Sequence, residues 1–185
     1  TRNHSSAASD VYKRQGLCSS MNRAYSLTTT DHILYAHDDM YFCKDWDIFL
    51  SDEIKKQGNN FYYLSGTNIS TRYGLINFDC GGTIEDFDIN KFNTFCSEDK
   101  TPDFQSSHWA PHLVHRELWD KIGGFSEEFN PGDGSDPDFC MKLWNKNVRI
   151  FKGISKFKKI SLTNCSLIEF TKAQLKIIQS FIKYL

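Results

Sequence analysis

The sequence lacks a long hydrophobic run, an excess of charge of either sign and any internal repeat. No stretch of its 185 residues reaches the run of about 18 apolar residues that spans a membrane, and no signal-peptide pattern appears. The formal net charge of -1 gives no electrostatic reason to expect nucleic acid as a partner. At this length we expect one domain with a substantial core.

Paired cysteine motifs are also missing. The six cysteines stand far apart and none forms a CxxC pair; they are Cys18, Cys43, Cys80, Cys96, Cys140 and Cys165. A secreted disulfide scaffold would be shorter and denser in cysteine, and a zinc site usually brings paired ligands. We therefore expect reduced, mostly buried thiols in a cytoplasmic protein.

The two ends of the chain differ in pattern from its middle. Residues 1–15 show no apolar periodicity and begin without methionine, so we expect a non-native or disordered segment and a natural protein that begins upstream. Residues 16–160 carry the globular pattern. Residues 161–185 predict a helical tail, whose apolar stripe would dock on protein or contact a membrane surface peripherally.

Strand and helix patterns alternate through the globular part, which predicts an α/β fold. The first half predicts a short helix capped by Ser19 or Ser20, a buried strand at "HILYA", a helix between an Asp45 cap and Gly58, and a strand at "NFYYLSG". Residues 66–107 show no sustained period, so we expect short strands and a mobile functional segment there. The second half predicts a strand at 111–114, a helix at 115–122, a helix after "NPGDGSD" and a strand at "VRIFKGI".

His37, Asp38 and Asp39 follow the buried "HILYA" strand directly. Adjacent carboxylates repel each other, so we expect a compensating partner such as solvent, a helix N-terminus or a cation. Mg²⁺ takes one or two carboxylates together with phosphate oxygens, and open α/β sheets bind ligands at the carboxyl ends of their strands. The alternative is that both aspartates simply form a turn.

Asp136 and Asp138 lie in the acidic stretch "GDGSDPDF". Because Pro137 follows Asp136, the pattern predicts Asp136 as an N-cap with proline at the first helical position. A carboxylate at the mouth of a glycine-rich loop could also accept a proton from a substrate hydroxyl. Both readings of Asp136 remain open at this point. In either reading, the helix dipole stabilises the charge of Asp138 in the first turn.

The two acidic stretches together resemble family 2 of the GT-A glycosyltransferases. The resemblance lies in "YAHDDMYFCKDWD" and in "LWDKIGGFSEEFNPGDGSDPDFCMKLW", some eighty residues later, and covers roughly residues 16 to 152. It implies a GT-A fold, the fold of enzymes that use nucleotide-diphospho-sugars: a mixed, mostly parallel sheet flanked by helices, with its first strands missing here. It also implies metal-dependent, inverting transfer of a sugar to an acceptor hydroxyl.

The resemblance assigns roles to individual residues. Asp39 matches the aspartate that coordinates Mg²⁺ or Mn²⁺, and Asp136 matches the base that deprotonates the acceptor. The nucleotide-sugar positions are Asn22, His37 and Asp38, although the family often has Asp where His37 stands. The acceptor positions are Trp109, His112, Trp119 and Asp138, and core packing is the alternative for the two tryptophans and His112.

The implied partners are a nucleotide-diphospho-sugar donor and a saccharide or lipid-linked saccharide acceptor, with no nucleic acid. The implied setting is bacterial surface polysaccharide or glycoconjugate synthesis, in the cytoplasm or at the periphery of the inner membrane. Many members have a metal-binding histidine after the last strand, whereas this chain has none beyond His115. Two alternatives remain: a carbohydrate- or nucleotide-binding fragment without turnover, and a metal-dependent phosphodiesterase.

Overall fold

A mixed sheet of six strands, flanked by helices, forms the part of the chain that the structure describes. The structure is a computed structural model, and it describes residues 16–37, 40–70, 76–98 and 110–159. The predicted segments 1–15 and 161–185, the aspartates Asp38 and Asp39, and Trp109 lie outside these residues.

The elements follow one another in the order that the sequence predicts, with one short strand (Met40–Phe42) and one helix (Ile89–Glu98) added. The strands are β1 (His32–Tyr35), β2 (Met40–Phe42), β3 (Tyr62–Ser70), β4 (Ile76–Asn77), β5 (His112–His115) and β6 (Arg149–Lys159). The helices are α1 (Leu17–Ser26), α2 (Trp46–Gln57), α3 (Ile89–Glu98), α4 (Arg116–Ile122) and α5 (Ser135–Trp144), with a 3₁₀ turn at Glu127–Phe129. Helix α3 lies in the segment for which the sequence predicted only short strands.

The sheet has the order β1-β5-β3-β6-β2, and β4 pairs with the end of β3. Strand β3 runs parallel to β4 and β6, whereas the pairs β1–β5, β3–β5 and β2–β6 are antiparallel. The expectation of a mostly parallel sheet is therefore wrong for the described strands. Short apolar runs such as β5 predict burial but carry no information about strand direction.

Strand β3 lies in the middle of the sheet and is buried on both faces. Tyr62, Tyr63, Leu64 and Ser65 are each at most 2% exposed. Because side chains alternate across a strand, Tyr63 shares one face with His112 of β5 and Tyr35 of β1. Helix α5 packs on this face, where Phe139 contacts the ring of His112 at 5.1 Å. We call it the α5 face of the sheet.

Two of the predicted helix ends have the expected position. Gly58 ends α2 and Gly123 ends α4, each in the left-handed conformation that glycine adopts without strain. Asp45 does occupy the N-cap position of α2, but its side chain makes no capping hydrogen bond and its φ is 60°. Within α2, Trp46 and Leu50 are buried, whereas Phe49 is 37% exposed.

Among the described residues, no helix has the length and apolar character needed to cross a membrane. The described cysteines form no disulfide with one another, and all except the half-buried Cys96 are buried. This confirms the expectation of mostly buried thiols for that part of the chain.

Candidate active site

The side chain of Asn22, on α1, fixes the loop that follows α4. Its Nδ2 donates to the carbonyl oxygen of Phe125 (2.9 Å) and to Oε1 of Glu127 (3.1 Å), and its Oδ1 accepts from the Phe125 N–H (3.0 Å). Both amide donors are used, so one acceptor lone pair remains for any other partner. The contact of Asn22 with the nucleotide-sugar stays a prediction. If these hydrogen bonds are kept, Asn22 can only accept a further hydrogen bond, which the nucleotide-sugar would have to donate.

Gly124 lets this loop approach α1 closely. A Cβ atom there would lie 2.6 Å from Oδ1 of Asn22 and 2.8 Å from Nε1 of Trp119, and its φ of 63° is strained for any other residue. The Trp119 ring is 3% exposed and stacks on Tyr25 of α1 at 5.1 Å. Trp119 therefore packs in the core in this arrangement, as the alternative reading of that residue predicted.

Helix α1 is capped by a residue from the same loop region. Oδ1 of Asn130 accepts from the backbone N–H of Cys18 at 3.1 Å. The prediction that Ser19 or Ser20 caps this helix is wrong, because the helix begins at Leu17 and Ser19 instead donates to Glu127 at 2.9 Å. A cap supplied by a residue more than a hundred positions away leaves no local signal in the sequence.

Asp136 is the second residue of α5 and does not cap it. The N-cap position belongs to Gly134 (φ 81°), and Ser135 closes the preceding turn by donating its hydroxyl to the Gly132 carbonyl at 2.6 Å. The predicted N-cap role of Asp136 is therefore wrong. Pro137 fits the third helical position for the same reason as the first, since the N–H it lacks would have no partner within the helix.

Among the described carboxyl groups, Asp136 has the clearest rise in pKa. Its Oδ1 is buried and has no hydrogen-bond partner among the described residues. Burial, which penalises the charged form, raises the pKa of Asp136 from 3.8 to about 6. At neutral pH the group is therefore largely ionised yet ready to take up a proton, as a general base should be.

Asp138 holds α5 to the loop that Asn22 fixes. It accepts a hydrogen bond from Ser126 at 2.7 Å and lies 3.4 Å from Nζ of Lys142, which itself donates to the Gly124 carbonyl at 3.0 Å. These contacts give Asp138 a structural role close to Asp136. An acceptor contact by Asp138 stays a prediction.

His37 lies just beyond β1 and is held by a tyrosine of that strand. The Tyr35 hydroxyl lies 2.7 Å from Nε2 of His37, and the Tyr35 ring, 3% exposed, packs 4.9 Å from the ring of His112. Tyr35, which sequence reasoning counted only as core, therefore contacts the ring of His37. Its signal was the two-residue spacing from His37, which puts both side chains on the same side of an extended chain.

His112 is buried against aromatic rings rather than exposed to an acceptor. It is 1% exposed and neither ring nitrogen has a hydrogen-bond partner among the described residues. Burial, with a smaller contribution from His37, lowers the pKa of His112 to about 3, so the ring is neutral at physiological pH. A contact between His112 and the acceptor stays a prediction, and the burial of the ring argues against it.

Three predicted residues thus lie at or next to the α5 face of the sheet. His112 is on the face itself, His37 packs at 5.2 Å against Tyr35 of that face, and Asp136 is on α5, the helix that covers it. Within the described ranges, no group of three or more His, Cys, Asp or Glu side chains is arranged to hold a metal ion. The donor set that the sequence places after β1, an imidazole followed by two carboxylates, has chemistry suited to a divalent cation such as Mn²⁺. Its aspartates lie outside the described residues, so the metal stays a prediction.

Comparison with known proteins defines the class of fold. No protein-family model matches the chain, and no curated protein sequence matches it. Solved structures do match, and they include a GT-A fold glycosyltransferase. The predicted GT-A-like α/β architecture is thereby supported.

That structure is the crystal structure of GalNAc-T7 with UDP, GalNAc and Mn²⁺. The match has a TM-score of 0.60 at 13% sequence identity, and it covers 82% of this chain but 32% of the other. The chain therefore spans about a third of the length of this structural relative. Such low identity shows a shared fold alone, and GalNAc-T7 belongs to family 27, so membership of family 2 stays a prediction.

Proposed function

We propose that this chain is part of the catalytic domain of a glycosyltransferase that moves a sugar from a nucleotide-diphospho-sugar to an acceptor hydroxyl. The observation that carries the proposal is Asp136, a carboxylate with a raised pKa and an unpartnered buried oxygen. It lies on the α5 face of a GT-A-like sheet, the face that also carries Tyr35 and His112. The fold of a known glycosyltransferase gives the context.

Asp136 acts in this proposal as the general base. Its carboxylate accepts the proton of the acceptor hydroxyl while the oxygen of that hydroxyl forms a bond to the anomeric carbon of the donor. The bond between the anomeric carbon and the diphosphate oxygen breaks, and its electron pair leaves with the nucleoside diphosphate. Attack from the side opposite the leaving group inverts the anomeric centre. Because Asp136 is fixed in the first turn of α5, little reorganisation is needed when it takes the proton.

The donor is proposed to bind at the end of β1. Asp39 would hold Mg²⁺ or Mn²⁺, with His37 and Asp38 beside the nucleotide diphosphate. A bound divalent ion there supplies Lewis-acid stabilisation of the negative charge on the leaving group. The Tyr35 hydroxyl orients the imidazole of His37 by engaging its Nε2.

The acceptor is proposed to be a saccharide or a lipid-linked saccharide, as in bacterial surface polysaccharide or glycoconjugate synthesis. Trp109 would offer an aromatic face to a sugar ring. The family 2 assignment rests on the motif resemblance alone. The resemblance includes Gly123, Gly124 and Phe125, the loop that Asn22 holds against α1.

The test is product formation by the full-length protein. It is incubated with a panel of nucleotide-diphospho-sugars, mono- and oligosaccharide acceptors and Mn²⁺, and the products are analysed by mass spectrometry and by NMR of the anomeric proton. We expect a transferred sugar of inverted configuration and an equimolar amount of nucleoside diphosphate.

Three results would contradict the proposal. Binding of the donor without transfer would favour a carbohydrate- or nucleotide-binding module. Release of nucleoside diphosphate with free sugar, regardless of the acceptor, would favour hydrolysis. Retention of configuration would exclude the direct displacement that assigns Asp136 its role.

A further inference from the structure

The core beneath Asp136 contains polar atoms that the described residues leave unpaired. The hydroxyl of Tyr63, both ring nitrogens of His112 and Oδ1 of Asp136 are all buried and have no hydrogen-bond partner among the described residues. Buried polar groups in folded proteins nearly always have a partner, and internal water supplies it where protein does not. A cluster of such atoms on one face of a sheet therefore points to an internal site for a polar ligand.

Tyr63 connects the two ends of this cluster. Its ring packs 4.9 Å from the ring of His112, against which Phe139 packs, and Asp136 lies one helical turn before Phe139 on α5. Burial raises the pKa of Tyr63 well above its ordinary value, and the nearby Cys140 and Asp136 add to this rise. The Tyr63 hydroxyl is therefore neutral and keeps its proton to donate. The Cys140 thiol interacts with this hydroxyl as a weak hydrogen-bonding neighbour. Sulfur is a poor substitute for oxygen or nitrogen, and the hydroxyl has no partner of that kind among the described residues.

We propose that Tyr63 is a positioning residue for Asp136, and that one internal water molecule joins them. The water accepts a hydrogen bond from the Tyr63 hydroxyl and donates one to Oδ1 of Asp136. This inference rests on the proposed function of Asp136 as the base and adds a residue that holds its carboxylate. The bridge stabilises the ionised carboxylate and so favours the form that can accept a proton at neutral pH.

The test is the pKa of the Asp136 carboxyl, measured by NMR on protein with ¹³C-labelled aspartate, with Asp136→Asn used to assign the signal. Tyr63→Phe removes only the hydroxyl oxygen, so we expect it to raise the pKa of Asp136 by about 0.5–1 unit. The groups near this carboxyl, the thiols of Cys18 and Cys140, remain in place. An unchanged pKa would overturn the proposal.

Tyr62→Phe is the matched control. Tyr62 precedes Tyr63 on β3 and points to the opposite face, where its hydroxyl lies 2.8 Å from Nε2 of His32. We expect the pKa of Asp136 to stay unchanged in this variant. An equal shift in both variants would show a general effect of loosening β3 and would overturn the proposal.

A second measurement needs no substitution and serves if Tyr63→Phe does not fold. A crystal structure of the unmutated protein at high resolution should show a water molecule within hydrogen-bond distance of both the Tyr63 hydroxyl and Oδ1 of Asp136. A dry contact, or a Tyr63 hydroxyl bonded elsewhere, would overturn the inference. Neither experiment depends on sugar transfer, so the bridge can be established even if the proposed function fails.

Discussion

Replacing Asp136 with asparagine should stabilise the protein at alkaline pH, although it removes the proposed base. Folding raises the pKa of Asp136 from 3.8 to about 6 because the charged form is desolvated. For a carboxyl whose pKa is raised, the stability gained from protonation is fully present below 3.8 and is lost as the pH rises through 6. At pH 8 the folded state therefore carries an unfavourable ionised group, which asparagine would not.

The magnitude follows from the size of the shift. A rise of about two pKa units corresponds to about 3 kcal/mol, which must be reduced because the side chain is only partly buried and because asparagine loses the favourable helix dipole. We expect Asp136→Asn to gain about 1–2 kcal/mol at pH 8 and to raise the Tm by about 3–6 °C. The gain should disappear near pH 4, where the unmutated side chain is protonated in the folded state.

The assay is a thermal or urea melt of both proteins at a series of pH values, since the difference at each pH cancels the titration of every other group. The control is Asp133→Asn, an exposed carboxylate on the loop before α5, for which we expect no change in stability. A loss of stability at pH 8, or a gain that does not depend on pH, would refute the reasoning that desolvation dominates at Asp136.

Three further substitutions test other parts of the account. Because burial lowers the pKa of His112 from 6.5 to about 3, its neutral form supports the fold above pH 6.5, and this support is lost as the pH falls. The protein therefore loses stability between pH 8 and pH 5, and His112→Phe should reduce this loss by about 2 kcal/mol in urea melts. If the unfolding free energy depends on pH in the same way in both proteins, the burial of His112 is contradicted. Asn22→Ala should cost about 2–3 kcal/mol because it leaves both backbone groups of Phe125 unpaired, and a loss below about 0.5 kcal/mol would show that solvent replaces them. Gly124→Ala should lower the Tm by at least about 4 °C in a thermal melt, because its Cβ would meet Asn22 and Trp119. The control is Gly58→Ala, whose Cβ would lie in open space, so its Tm should fall only by the smaller amount that backbone strain at a positive φ causes.

Much of the fold could be predicted because local patterns determine it. The apolar run before His37 predicted β1, and the glycines after α2 and α4 predicted where those helices end. The sequence carried a signal for helix α3 that the prediction missed. Asp88 caps the helix by accepting a hydrogen bond from the Lys91 N–H at 2.9 Å, and Phe92 on the helix is fully buried. The many polar residues around this helix hid its short apolar period.

Other features had no local signal. The strand directions around β5 depend on which strands lie beside it, and the cap of α1 comes from Asn130. The sequence could suggest Asp136 as a base, but its raised pKa depends on the packing of α5 against the sheet. The burial of His112 arises in the same way, since its neighbours Tyr35 and Tyr63 come from two other strands.

The central claim is that Asp136 takes the proton of the acceptor, and the most direct measurement is kcat at saturating nucleotide-sugar for Asp136→Asn in the full-length protein. Asparagine cannot accept the proton, so we predict a fall in kcat of at least about 100-fold, with donor affinity unchanged in calorimetry and with the fold intact. Asp133→Asn should transfer sugar at the rate of the unmutated protein. Transfer by Asp136→Asn within a few-fold of that rate would contradict the claim.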